Sequence, residues 1–271
     1  MSETTLVAVR TDTGERVTIG DLPVDVLRVL SDDRLLRCPN CEVPLTLKAG
    51  PVRVHHFAHT SLSLCAAVDH EPETDSHRQG KLRLYQHFRQ GAASATLEQH
   101  LTATDQRADV FIEMPGGQRY ALEFQQANNS VTRWAERHAL YRSAGIADLW
   151  FLGQVRYQER QAEPLRPISS YDPLPVPRGV FEATSGTFQA RELEMAIVAV
   201  EPVLYYLDPE TGDLTILLVR SLQANTVRAY RYRLPLTACA LRDGQLWTPL
   251  DPLLVEYRRY LAERSTRQPG V

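Results

Sequence analysis

From Arg107 to Gln125 the chain runs apolar, turns, and runs apolar again, and each apolar arm holds one carboxylate. Asp109 sits in Arg-Ala-Asp-Val-Phe-Ile and Glu123 in Ala-Leu-Glu-Phe-Gln, on either side of Met114-Pro115-Gly116-Gly117-Gln118. This pattern predicts a hairpin with one acid on each strand. An acid inside an apolar strand costs desolvation energy unless it is paired or bound to a cation. Two such acids on paired strands can converge on one divalent metal through hard oxygen ligands. The plainer alternative is that each acid faces solvent from the polar side of its strand.

With 271 residues the chain has room for two or three modules and at least one sizeable core. The formal net charge of −3 gives no global attraction for nucleic acid, so any such site must be a local basic patch. No run approaches eighteen apolar residues, which argues against a transmembrane helix. The N-terminus lacks the basic start and apolar core of a signal peptide. The expectation is a cytoplasmic protein with no membrane partner.

Residues Leu6 to Ile19 alternate around Thr11-Asp12-Thr13-Gly14, as a hairpin does. Asp21 can cap a short helix to about Leu30. Then comes Cys38-Pro39-Asn40-Cys41, followed by His55-His56-Phe57-Ala58-His59 and Cys65. A Cys-x-x-Cys after a strand is a zinc-knuckle half-site. The simplest tetrahedral set is Cys38, Cys41, Cys65 and one of His59 or His56. With all four positions filled by protein the zinc would be structural, since a catalytic zinc keeps one position open. A redox Cys-x-x-Cys fits less well, because that motif wants a helix N-terminus after the first thiol. The remaining thiol, Cys239, reads as a core residue.

Asp75 or Ser76 can cap a helix running to Phe88, with Leu82, Tyr85 and Phe88 as its apolar stripe. His77 and Lys81 share a face of it, with Glu73 one turn upstream; such a face is often merely solvated. Ala95 to Leu101 reads as a strand holding a third candidate acid, Glu98. After Gln125, Val131 to Ala144 reads as a helix closed by Gly145. It carries Arg133, Arg137 and Tyr141 at helical spacing, which in the plainer view is a packing face. Ala147 to Leu152 is a continuous apolar run, hence a buried strand that the crossover helix makes parallel to a neighbour.

Beyond Tyr157 five prolines from Pro164 to Pro177 mark a linker or extended passage. Arg191 to Val200 reads as a helix and Val203 to Val219 as a hairpin. Val227 to Leu234 and Ala240 to Trp247 read as short strands. A terminal helix is expected from Leu253 to Arg264, with a disordered tail. Arg231 and Arg233 alternate with Tyr230 and Tyr232. Bases could stack on such tyrosines, but a half-buried strand with Tyr inward is the stronger reading.

In this order, several of these residues resemble the competence protein CoiA-like nucleases of the PD-(D/E)XK superfamily. They are Cys38-Pro39-Asn40-Cys41, His56-Phe57-Ala58-His59, Cys65, the Glu73, His77, Lys81 spacing, Arg107-Ala108-Asp109-Val110, Glu123-Phe124-Gln125, Arg137 and Tyr141, and Ala144-Gly145-Ile146 leading to Leu149-Trp150-Phe151-Leu152. The resemblance covers about residues 1 to 155. It implies an α/β fold with a mixed α+β sheet, built as a PD-(D/E)XK restriction-endonuclease-like core. Around it stand an N-terminal zinc-binding module and a β-rich C-terminal extension. The expected divisions are 1–70, 71–155 and 156–271, the last holding the linker and a β-rich domain.

The resemblance further implies a Mg²⁺- or Mn²⁺-dependent deoxyribonuclease. It would hydrolyse phosphodiesters in single-stranded DNA during recombination of incoming DNA in natural transformation, with recombination proteins as further partners. By resemblance, Asp109, Glu123 and the Phe124 backbone carbonyl hold the metal, and His77, Lys81 and Glu98 surround the site. Gln125 occupies the place of the usual lysine, where it can orient a water but cannot carry charge or act as a base. Arg133, Arg137 and Tyr141 would hold the DNA backbone or buttress Gln125. Gln125 keeps open an alternative, a DNA-binding recombination accessory protein with a catalytically weak or degenerate nuclease core. A zinc-stabilised interaction module with no DNA role is the third reading.

Overall fold

The computed structural model describes residues 4–60, 65, 74–127, 130–163, 180–253 and 255. The chain divides into two compact units, Met1–Pro115 and Gly116–Val271. In the first, the alternation around Thr11–Gly14 folds as expected: β2 (Val7–Arg10) pairs antiparallel with β3 (Arg16–Thr18). Gly14 turns the chain at φ 75°, a conformation that a Cβ disfavours. The other edge of β2 takes β4 (Leu36–Arg37). Between them α1 (Val24–Asp32) buries Leu27 and Leu30. Its N-cap is Pro23 rather than Asp21. The Asp21 carboxylate accepts instead from the Tyr85 hydroxyl at 2.9 Å and from Arg89, charged and hydroxyl donors being stronger than one helix amide.

A second small sheet runs in the order β1 (Thr4–Thr5), β6 (His56–His59), β5 (Leu45–Lys48). All four residues of β6 are buried. Helix α2 (Asp75–Phe88) starts at Thr74, whose hydroxyl accepts from the His77 amide at 3.1 Å. Thr74 takes the cap expected of Asp75 or Ser76 because Asp75 is drawn to Arg78 one turn on. Leu82, Tyr85 and Phe88 form the buried stripe. Then β7 (Ser94–Leu101) and β8 (Gln106–Glu113) pair antiparallel.

In the second unit β9 (Arg119–Gln125), α3 (Val131–Ser143) and β10 (Ile146–Gly153) form a crossover, and β10 lies parallel to β9. Ser130 caps α3 through the Arg133 amide at 3.1 Å, and Gly145 closes it at φ 66°. Then come β11 (Glu159–Glu163), β12 (Glu182–Gln189), α4 (Glu192–Val200), β13 (Val203–Leu207), β14 (Asp213–Gln223) and β15 (Thr226–Pro235). Their order is β11-β12-β15-β14-β13-β10-β9. The β9–β10 and β10–β13 pairings are parallel and the others antiparallel, so this is a large mixed sheet. Its core gathers Trp134, Trp150 and Leu152 with Phe188, Leu193, Leu204, Tyr206 and Leu217.

A short pair, β16 (Ala240–Arg242) and β17 (Gln245–Trp247), follows. Cys239 is buried, as expected. Tyr230 and Tyr232 are fully buried, so neither can stack on a base. Arg231 pairs with Glu159 and Glu182, and Arg233 with Asp213. The proline-rich passage, Glu73, and most of the expected terminal helix and tail lie outside the described residues. Among the described residues no helix is long and apolar enough to cross a membrane.

Candidate functional site

The turn after β4 is a knuckle. The Cys38 amide donates to the Val43 carbonyl at 2.9 Å, and the Asn40 amide stands 3.4 Å from Cys38 Sγ. Glu42 takes φ 60° to complete the turn. The ligand atoms of Cys38, Cys41, His59 and Cys65 all lie within 4.8 Å of one another. Cys38 Sγ is 3.8 Å from Cys65 Sγ, and Cys41 Sγ is 3.3 Å from His59 Nε2. A tetrahedral zinc with ordinary bond lengths has edges of about 3.8 Å between sulfurs and about 3.6 Å from sulfur to nitrogen. The Cys₃His set therefore could bind zinc, with no position left open. His59 joins it and His56 does not. Three residues apart on a strand, they face opposite ways, and His56 Nδ1 is 2.7 Å from the Val54 carbonyl. Burial raises the Cys38 thiol. Burial also acts on Cys41, but hydrogen bonds from the Val43 amide and from Cys65, Cys38 and His59 outweigh it and hold that thiol below its ordinary value.

Four further predicted residues meet within the first unit. His77 and Lys81 lie one turn apart on α2. His77 Nε2 is 3.6 Å from Asp109 Oδ2 on β8, both half-buried. Lys81, only 2% exposed, donates to Glu98 Oε1 at 2.6 Å. Burial pushes the Glu98 carboxyl up, but Lys81 and Arg107 more than reverse it and hold the group at about 2. Lys81, expected either on a solvated face or around the site, is thus a buried counter-ion. Sequence reasoning missed Thr5, whose hydroxyl donates to Glu98 Oε2 at 2.5 Å from 93 residues away. Nothing near Thr5 in the chain signals that contact.

The second unit places Glu123, 4% exposed, beneath α3. Its Oε1 accepts from Arg137 at 2.5 Å and from the Tyr141 hydroxyl at 2.6 Å. Arg137 also donates to the Tyr141 oxygen at 3.0 Å and lies over the Trp150 ring. Helical spacing brings Arg137 and Tyr141 together, and the β9–β10 register sets Glu123 opposite Trp150. Tyr141 is fully buried, so the contact expected with DNA or Gln125 is replaced by one with Glu123. Arg133 lies half-buried one turn earlier. Phe124 is buried in the sheet. Gln125 Nε2 donates to the Ala127 carbonyl at 3.0 Å.

Two supports here went unforeseen. Asp148 Oδ2 accepts from Trp150 Nε1 at 2.7 Å and stands 2.7 Å from His138 Nδ1. Arg156, wholly buried with Glu194, donates to the Ala127 carbonyl at 2.6 Å and so fixes the loop that follows Gln125. The only signal in the chain is the spacing of Trp134 and His138, which places both on one face of α3.

Two family models match. Competence protein CoiA, nuclease-like domain, spans residues 73–170, and Competence protein CoiA, N-terminal domain, spans residues 23–68. The first contains His77, Lys81, Glu98, Asp109, Glu123, Arg137 and Tyr141; the second contains the whole Cys₃His cluster. The competence protein CoiA of Bacillus subtilis (strain 168) is 31% identical over 134 residues, covering 49% of this chain. The match covers 35% of that relative, so the chain spans about a third of its length. No solved structure matches the chain.

Proposed function

The chain belongs to the competence protein CoiA-like family, and from that premise we propose that it is a metal-dependent DNA nuclease. It hydrolyses phosphodiesters in single-stranded DNA, in the recombination of incoming DNA during natural transformation. The observation that carries this reading is that the nuclease-like match contains two carboxylates with built surroundings: Asp109 facing His77, and Glu123 clamped by Arg137 and Tyr141. The succession α2, β7, β8, β9, α3, β10, with β9 parallel to β10, supports a PD-(D/E)XK core.

Asp109 in the first unit, and Glu123 and the Phe124 carbonyl in the second, are each hard oxygen donors of the kind that suits Mg²⁺ or Mn²⁺, and the resemblance assigns them that role. Such an ion, when bound, would neutralise phosphate charge and acidify a coordinated water. The chain's own residues do the rest. Arg137 and Tyr141 orient Glu123 through Oε1. His77, beside Asp109, accepts or delivers a proton. Lys81 fixes Glu98 rather than gripping phosphate. Arg133 and the exposed part of Arg137 meet the DNA backbone. The Cys₃His cluster holds a structural zinc.

One observation favours a second reading, a DNA-binding accessory protein with a weak nuclease core. Gln125 supplies no charge where the superfamily has lysine, and its amide is bound to Ala127. One experiment separates the two: end-labelled single- and double-stranded DNA incubated with Mg²⁺, Mn²⁺ or EDTA, beside Asp109→Ala and Glu123→Ala. Metal-dependent cleavage lost in both variants supports the nuclease. Binding without cleavage supports the accessory protein, and no binding rejects both.

A further inference from the structure

Thr5 and Arg16 precede both matched regions, yet both reach Glu98. Thr5 donates to Glu98 Oε2 at 2.5 Å, and the Leu6 amide donates to the same oxygen at 3.4 Å. Arg16 donates through one guanidinium nitrogen to the carbonyls of Leu97 at 2.5 Å and Glu98 at 3.2 Å. The β7–β8 ladder lapses at this point. Leu97 pairs with Val110 and Gln99 with Ala108, which sets Glu98 opposite Asp109 without a pairing of its own. Glu98 sits at φ 50°. A non-glycine residue there is strained and persists only where its surroundings hold it.

The surroundings here are the N-terminal strands. Arg16 takes up the two carbonyls at the kink, and Thr5 fixes one carboxylate oxygen while the other receives Lys81. Thr5 is itself anchored. β1 pairs with β6, and Thr4 Oγ1 accepts from Arg78 on α2 at 2.9 Å. Lys81 is one turn from His77, and His77 faces Asp109. We propose that Thr5 and Arg16 are positioning residues of the nuclease: they hold Glu98 at the kink, and through Glu98 and Lys81 they set the α2 face that presents His77 to Asp109. This inference rests on the metal-dependent nuclease reading.

The test uses the 271-residue chain as wild type, Thr5→Val, Thr5→Ser, Arg16→Gln and Arg16→Lys. Thr18→Val serves as a control for the general cost of altering a buried threonine, in β3 beside Arg16. Single- and multiple-turnover cleavage are measured across pH, with circular dichroism to confirm folding. Thr5→Val and Arg16→Gln are expected to lower kcat about tenfold, the scale of losing an outer support, with KM for DNA little changed. Losing a hydrogen bond to the ionised form raises a carboxyl's pKa, so the Glu98 midpoint rises in Thr5→Val. Thr5→Ser and Arg16→Lys restore most of the rate, and Thr18→Val keeps it. Wild-type kcat in folded Thr5→Val overturns the proposal, as does an equal loss in Thr18→Val. If Arg16→Gln does not fold, Thr5→Val alone decides. If the wild type fails to cleave, the nuclease reading falls by itself. The Glu98 carboxyl is then titrated by carbon NMR: an upward shift of its midpoint in Thr5→Val supports positioning, and an unmoved midpoint overturns it.

Discussion

Glu98 and Glu123 are both buried acids, and each is held by a different device. Glu98 is neutralised by a buried lysine, which holds its carboxyl at about 2 against an ordinary value of 4.5. A folded value below the unfolded one stabilises the protein fully above the unfolded value, and that part is lost as pH falls through the folded value. Urea unfolding from pH 7 to pH 2 should therefore show stability falling below about pH 4.5, and Lys81→Met/Glu98→Gln should flatten that fall. A fall of equal steepness in the double variant would place its origin elsewhere. Glu123 is instead clamped by donors from one helix face. Arg137→Ala strands a nearly buried carboxylate with Tyr141 and should cost about 3 kcal/mol in denaturant unfolding, since breaking such a pair costs ~3–5 when fully buried. Tyr141→Phe should cost ~1–2 kcal/mol. Both should depress cleavage well beyond their effect on DNA binding.

At the scale of elements, what was legible was local. Helix α3 and strand β10 followed from residues at helical spacing, a closing glycine and a continuous apolar run. The Cys₃His cluster was legible because four soft donors crowd 28 residues, Cys38 to Cys65. The choice between His56 and His59 needed the face each presents on β6. Partners distant in sequence were not legible. Thr5 to Glu98 spans 93 residues and Arg156 to Glu194 spans 38, and no periodicity encodes either. That is also why the burial of Lys81 was not foreseen: its counter-ion arrives on another element. The knuckle carries its own prediction. Metal analysis of protein purified without added metal should find one zinc per chain. Cys38→Ala should lower the thermal midpoint by roughly 5–10 °C, since structural zinc affinity is folding free energy. Protein without zinc would refute the assignment.

At the scale of the whole molecule, the second unit does not divide at the proline-rich passage. β13, beyond it, pairs directly with β10, before it. Trp150 and Leu152 share a core with Phe188, Leu204 and Tyr206. The nuclease-like match ends at residue 170, so a chain stopped there would keep β10 yet lose the strand that covers its edge and most of that core. An uncovered parallel edge above an open apolar face is an aggregation site. The lock between the two stretches is the buried Arg156–Glu194 pair, which also holds the loop after Gln125 through Ala127. Removing one partner leaves a buried charge unmatched, so Arg156→Met should cost ~3–5 kcal/mol. Replacing both, as Arg156→Met/Glu194→Leu, should recover most of that stability, because an apolar pair of similar volume removes the desolvation penalty altogether. The Ala127 carbonyl still loses its donor in the double variant, however. If the pair serves stability alone, the double variant regains cleavage with stability. If it fixes the loop that follows Gln125, stability returns and cleavage does not. Unfolding and cleavage measured side by side separate these, and the bond from Arg156 to Ala127 predicts the second outcome.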